Sequence, residues 1–261
     1  AAGEDVGDYA IGLGTLTNNN YTLTLVPENM SITPLVVTVT PDVLSKTYGE
    51  VDPIPTYTLS ATSSATLSVV GALSRAAGED VGDYAVGLGT LANTNYTLSL
   101  VTENLSITPL SVTVTPNLLS KTYGEADPLL TYSLSATSST TLTTTGSLTR
   151  ASGEDVGDYA IGLGTLTNAN YDMILVSEHF TIEAKTLTIT AENITKVFDN
   201  QLVTSYSAQF EGFVNGEGPP NLGGNLLFSG SAITALNYGV YSINVSGLTS
   251  DNYQINYLPG I

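Results

Sequence analysis

Cysteine and tryptophan are absent from this 261-residue chain, and histidine occurs once, at His179. Without thiols there is no disulfide framework, no thiolate nucleophile and no cysteine zinc site. The lone histidine falls where related segments carry Asn29 and Asn104, so it reads as a surface turn residue rather than the base of a Ser-His-Asp triad. Cations are scarce as well: six Lys and Arg face 24 acidic residues, a formal net charge of -18. No basic patch can then neutralise phosphates, which excludes nucleic acid, and the same sign excludes anionic membranes. No run of about 18 apolar residues is present, so no membrane insertion is expected of this segment. No signal peptide precedes Ala1, and the chain reads as a mature or excised piece whose export signal and anchor lie elsewhere.

Charged residues make up 11% of the chain and hydrophobic ones 42%, a balance that disordered segments do not have, so the chain should fold. Self-repulsion from the acidic excess suits a long object that must stay soluble beside its neighbours. The dominant feature is repetition. GEDVGDYA begins at Gly3, Gly78 and Gly153, a constant step of 75 residues, and KTYGE begins at Lys46 and Lys121. SITP recurs at Ser31 and Ser106, and GLGTL at Gly12, Gly87 and Gly162. A fourth copy starts in phase, with Lys196, Phe198 and Asp199 falling 75 residues after Lys121, Tyr123 and Gly124, and later gains seven residues. The expected units are a half repeat at 1–34, complete repeats at 35–109 and 110–183, and a divergent repeat at 184–261.

Apolar residues alternate with period two in LVVTVT from Leu35, YTLS from Tyr57, YAVGL from Tyr84 and YTLSLV from Tyr96, which is the pattern of half-buried strands. Gly, Asn, Asp and Pro punctuate the gaps every eight to twelve residues. The fold class is all-β: tandem small antiparallel β-sandwich repeats, Ig-like in shape, with a β-grasp-like or single-sheet arrangement as the alternative. Strand order is not readable from such a pattern. Pro34 and Pro109 join units without a spacer, so a semi-rigid, elongated rod is expected. The half repeat should form strands around Tyr9, Tyr21 and SIT, and would be completed by its own longer array or by a copy of itself in a filament.

These motifs resemble the MBG domains of YGX type found in tandem in large bacterial surface adhesins. The resemblance rests on KTYGEVDP and KTYGEADP, GEDVGDYA, the GTL turn, the Asn-Tyr strand and the closing ITP. KVFDN from Lys196 looks instead like the related YDG type, with Phe198 for the tyrosine and no Asp-Pro. The resemblance implies secretion, surface display and a repetitive stalk, and no catalysis.

Candidate chemistry is thin. Glu4, Asp5 and Asp8, with Glu79, Asp80, Asp83 and Glu154, Asp155, Asp158, offer oxygen ligands for calcium, but neighbours on a strand face opposite ways and a solvated turn explains them. Asp52 and Asp127 precede proline and serve the turn. Tyr48, Tyr57, Tyr84 and Tyr96 could stack on a glycan or a host or surface protein, or pack half-buried. Lys46, Lys121 and Lys196 could form isopeptide bonds, or lie along an aromatic ring. Sequons stand at Asn20, Asn95, Asn193 and Asn244. No catalytic, cofactor or metal residue is assigned. The expected role is an extracellular stalk or spacer, the alternative being repeats that bind a glycan or protein through a tyrosine-bearing face.

Overall fold

The computed structural model describes residues 5–62, 66–137 and 141–261. Its contacts group into two compact units, one of 1–111 with 136–141 and 168–172, the other of 112–135, 142–167 and 173–261. No α-helix is present among the described residues; the regular structure is strand, with two short 3-10 turns in the fourth repeat.

In the second repeat the strands are β3 (Leu35–Pro41), β4 (Leu44–Thr47), β5 (Tyr57–Ser60), β6 (Ser74–Arg75), β7 (Gly82–Gly87), β8 (Tyr96–Leu100) and β9 (Asn104–Thr108), preceded by β1 (Gly7–Ala10) and β2 (Asn29–Ile32) of the half repeat. They form one sheet in the order β5-β3-β8 and another in the order β4-β9-β7-β6. Alternation places the strands: Val37 and Val39 of β3 are fully buried while Thr38 and Thr40 are only half-buried. Val39, Val86 and Leu73 form a core with Leu91, and Leu59 and Leu98 of the first sheet pack on it. That shared core makes the pair a sandwich.

The third repeat repeats this scheme with β10 (Leu110–Pro116), β11 (Leu119–Thr122), β12 (Tyr132–Ser135), β13 (Thr149–Arg150), β14 (Gly157–Gly162), β15 (Tyr171–Leu175) and β16 (His179–Glu183). Its sheets run β12-β10-β15 and β11-β16-β14-β13. The fourth has β17 (Lys185–Ala191), β18 (Ala208–Glu211), β19 (Gly223–Ser229), β20 (Asn244–Thr249) and β21 (Tyr253–Leu258). It keeps the three-stranded sheet, β18-β17-β21, and replaces the four-stranded one by the hairpin β19-β20.

The all-β class and the tandem repeats stand as read, with two departures in detail. β3 pairs parallel with β8 and β4 parallel with β9, so the sheets are mixed rather than antiparallel throughout. Their partition also differs from the immunoglobulin one, because the first strand sits between the third and sixth. Alternation encodes which face of a strand is buried, not its partner or its direction. The half repeat departs too: among its described residues β1 and β2 form, and Tyr21 lies outside any strand. In the second repeat the Asn-Tyr strand β8 is held by its parallel neighbour β3.

Candidate functional site at the repeat junctions

Two lysines, Lys46 and Lys121, are the buried charged side chains of the described residues, and each lies at the same place on the strand before the YGE turn. In the third repeat Lys121 Nζ reaches Asp127 at 2.6 Å and also Glu154. Arg150 meets the same carboxylates from the other side, Asp127 through Nε at 2.6 Å and Nη2 at 3.0 Å, and Glu154 at 2.7 Å. Lys46, Asp52, Arg75 and Glu79 build the same four-membered ring of charge in the second repeat. Four of the chain's six cations are committed to these two rings. A bidentate guanidinium and a desolvated ammonium satisfy both carboxylates, which is what lets the lysine be buried.

The titration behaviour follows. The Arg150 guanidinium, with Lys121, holds Asp127 at about 2, and Arg75 with Lys46 does the same to Asp52. Burial acts to lower the Lys121 ammonium, yet Asp127 and Glu154 outweigh it and leave its pKa raised. Asp52 and Asp127 therefore do more than shape a turn before proline. Each ammonium is an ion-pair member, Lys46 with Asp52 and Glu79 and Lys121 with Asp127 and Glu154.

The ring ties the KTYGE loop to the GED loop, and the arginine also secures the latter directly. Arg150 Nη1 donates to the Ala151 carbonyl at 2.9 Å and the Gly153 carbonyl at 2.6 Å, and its Cζ sits 5.0 Å over the Tyr159 ring. Tyr159 in turn donates its hydroxyl to the Asp155 carbonyl at 2.7 Å. Gly153 is required here: at its φ of +145° a Cβ would lie 2.2 Å from the Tyr159 ring.

What this loop presents is a socket. Within the second unit, Asn252 of the fourth repeat donates Nδ2–H to Asp155 Oδ1 at 2.8 Å and accepts the Val156 N–H on Oδ1 at 2.8 Å. Within the first, Asn170 of the third repeat makes the same two bonds to Asp80 and Val81 of the second, each at 2.8 Å. Asn95 makes them to Asp5 and Val6 of the half repeat, also at 2.8 Å. The residue after each asparagine is a tyrosine, and two of the three meet the YGE tyrosine of the preceding repeat edge to face: Tyr171 with Tyr48 at 6.0 Å, Tyr253 with Tyr123 at 5.4 Å. Tyr123 and Tyr253 both donate to Glu217, and burial with that carboxylate pushes the Tyr253 phenol up to about 12. Only one or two residues separate the last strand of one repeat from the first of the next.

Each candidate residue can now be placed. Glu79, Asp80 and Asp83 do not converge: the first joins the ring, the second takes the next repeat's asparagine, and they part in the third repeat likewise, where Asp158 accepts the Thr181 hydroxyl. No group of three or more His, Asp or Glu is placed to hold a metal among the described residues, and Glu4 lies outside them. Tyr84 lies under Arg75, Tyr57 packs half-buried on the core, and Tyr96 is half-buried. His179 opens strand β16 and is exposed, a strand position rather than a turn. The sequon amide of Asn95 is spent on Asp5. The sequence reading missed the ring and the asparagine contact. The signal was present, since Lys, Asp, Arg and Glu recur together 75 residues apart, and in the fourth copy the Asp, Arg and Glu are lost together while Lys196 stays.

Comparison with known families gives four consecutive matches to one family model, the MBG domain of YGX type, over residues 1–31, 37–106, 112–181 and 187–261. The fourth repeat, despite its KVFDN, matches that YGX model like the others. No curated protein and no solved structure matches the chain.

Proposed function

The chain belongs to the family of MBG domains of YGX type, and from that premise we propose that its repeats are the stalk or spacer of an extracellular bacterial surface protein, holding a binding region away from the cell. The observation that carries the reading is where the rare charges go. Four of six cations lock the loops that receive the asparagine of the following repeat, so the polar chemistry is spent on joining one repeat to the next. A ligand-binding face would instead leave such groups open to solvent. The tyrosines support the same reading, because those at Tyr48, Tyr123, Tyr171 and Tyr253 are used repeat against repeat. No helix of the described residues is long and apolar enough to cross a membrane.

Small-angle scattering of the whole chain tests the proposal. The expected result is a particle whose cross-section is that of one sandwich and whose length grows with repeat number. A compact particle or a broadly flexing ensemble would count against a spacer. Reproducible, saturable binding of the chain on a glycan array would favour the tyrosine-face alternative.

A further inference from the structure

The asparagine contact is the same at all three junctions and cannot tell one repeat from another. Between the third and fourth repeats, within the second unit, a further contact is made by the fourth repeat's loop 212–218, which leaves β18 and ends at the 3-10 turn Pro219–Asn221. It uses residue types the third repeat lacks at that place, since the segment 136–149 after β12 carries neither an aromatic nor an acidic residue. Asn215 and Gly216 hold φ of +57° and +74°, and the Glu217 N–H donates to the Val214 carbonyl at 2.9 Å, so the tip is a tight Asn-Gly turn. Both feet are fixed. The Phe213 ring stacks on Phe210 at 6.0 Å, and the Gly218 N–H donates to Asn221 Oδ1 at 3.0 Å.

What the loop grips is the turn of the preceding repeat. Tyr123 donates its hydroxyl to Glu217 Oε1 at 2.6 Å, and Tyr253 donates to Oε2 of the same carboxylate while accepting the Val214 N–H at 3.1 Å. The Tyr253 ring meets both Tyr123 and Phe213 edge to face, each at 5.4 Å, and the two tyrosines are buried. Beside them Gly124, at φ +84°, lies so close to the loop that a Cβ would stand 2.7 Å from that of Val214. The fit thus asks two things of the turn: a phenol hydroxyl, and no side chain on the residue after it. The fourth repeat's own turn offers neither, because Phe198 and Asp199 stand where Tyr123 and Gly124 do.

We propose that loop 212–218 is a recognition element that selects which repeat precedes the fourth, accepting a Tyr-Gly turn and rejecting a Phe-Asp turn, its own included. A phenylalanine in place of Tyr123 leaves Glu217 without one of its two phenol donors, beside a buried ring. Any side chain at position 124 meets Val214, which supplies the repulsive half of the discrimination. The fourth repeat therefore docks on a repeat with the Tyr-Gly turn of the second and third, and not on a copy of itself. The order of unlike repeats is written into this contact. The inference concerns repeat against repeat and does not depend on the stalk reading.

Amide exchange on the whole chain tests it. Giving the third repeat the turn of the fourth, with Tyr123→Phe and Gly124→Asp, should speed exchange at Val214 and Glu217 at least about tenfold while β17 and β21 stay protected. Unchanged exchange at those two amides overturns the proposal. Backbone strain at position 124 is separated by Gly124→Ala, whose effect on Glu217 exchange should shrink at least about threefold in a chain that also carries Val214→Gly. An undiminished effect would show strain rather than recognition and overturns it equally. Should the grafted turn unfold either repeat, Tyr123→Phe alone decides, because it keeps the ring and removes only the hydroxyl: faster exchange at Glu217 supports the proposal, and no change refutes it.

Discussion

Lys121 and Lys196 hold the same place in consecutive repeats, yet the side chain of the first is 3% exposed and that of the second 33%. The lysine is not what differs. Lys121 has Asp127, Glu154 and Arg150 around it, whereas Lys196 has the nearby Asp199 and the Gln201 carbonyl. Burial of the ammonium is a property of the four-residue ring, and losing the other three members returns the lysine to the surface. Where the ring would stand, the fourth repeat has a cleft lined by both polar and apolar side chains, Lys196, Asp199, Ala232 and Leu236 among them. In the second and third repeats the sandwich end is thus closed by the ion-pair ring, a device the fourth copy has lost.

The largest expected effect contrasts two phenylalanines. Phe180 sits fully buried on the central strand β16, so Phe180→Ala removes a core ring and should cost about 3–5 kcal/mol of third-repeat stability. Phe198 is 68% exposed at the cleft rim, so Phe198→Ala should cost under about 0.5 kcal/mol. Denaturation followed by repeat-resolved hydrogen exchange reads both. Comparable losses would mean that the cleft is already packed shut in solution.

Next comes the lysine pair itself. Lys121→Ala leaves Asp127 and Glu154 sharing Arg150 alone, and should destabilise the third repeat by about 2 kcal/mol, below the cost in a dry core because both carboxylates are partly exposed. Lys196→Ala should change stability by under about 0.5 kcal/mol. A loss for Lys196 matching that for Lys121 would break the comparison, since it would show the ring to be unnecessary.

How much of this was legible beforehand differs by level. Strands at Leu35, Tyr57, Tyr84 and Tyr96 follow from alternation, because burial on a pleated surface is written locally in the chain, and the tandem repetition follows from the 75-residue step. The parallel pairings are not, since β3 and β8 carry the same kind of pattern whichever way they run. Tyr21 shows the limit, having the sequence of a strand yet lying outside any strand. The ring was legible only by reading four positions jointly, as Asp52 alone looks like a turn residue and Glu79 alone like a solvated carboxylate. The asparagine contact spans about ninety residues, and no local signal announces it.

A smaller effect is expected at the junction. Asn252→Ala removes the acceptor of the Val156 N–H and the donor to Asp155, two bonds at a partly solvated site, for about 1 kcal/mol. Its signature is local: the Val156 amide should exchange faster while the β14 amides do not. Unchanged exchange at Val156 would show that packing of Tyr123 on Tyr253 suffices to hold the junction.

The gentlest contrast is in acid. Asp127, held at about 2 by Arg150 and Lys121, has a folded pKa below its ordinary value of 3.8, so the folded state takes up the proton later than the unfolded one. The stability it contributes is complete above about pH 4 and is lost as pH falls through about 2. Asp52 adds the same dependence in the second repeat, and Glu79 and Glu154, also lowered, act in the same direction. The lysines act at the other end: the raised Lys46 and Lys121 contribute below 10.5, and their share is lost as pH rises through the higher folded value. The fourth repeat has no ring, so its acid response rests on the exposed Asp199 and Glu192, whose lowered carboxyls are screened by solvent. Carboxyl carbon NMR should therefore show Asp52 and Asp127 half-protonated near pH 2, with amide protection around Lys46 and Lys121 falling between about pH 4 and 2 while that of β17 and β21 holds. Asp127 titrating at its ordinary value would mean that the ring is open in solution, and the third repeat would then close as the fourth does, by its apolar core alone.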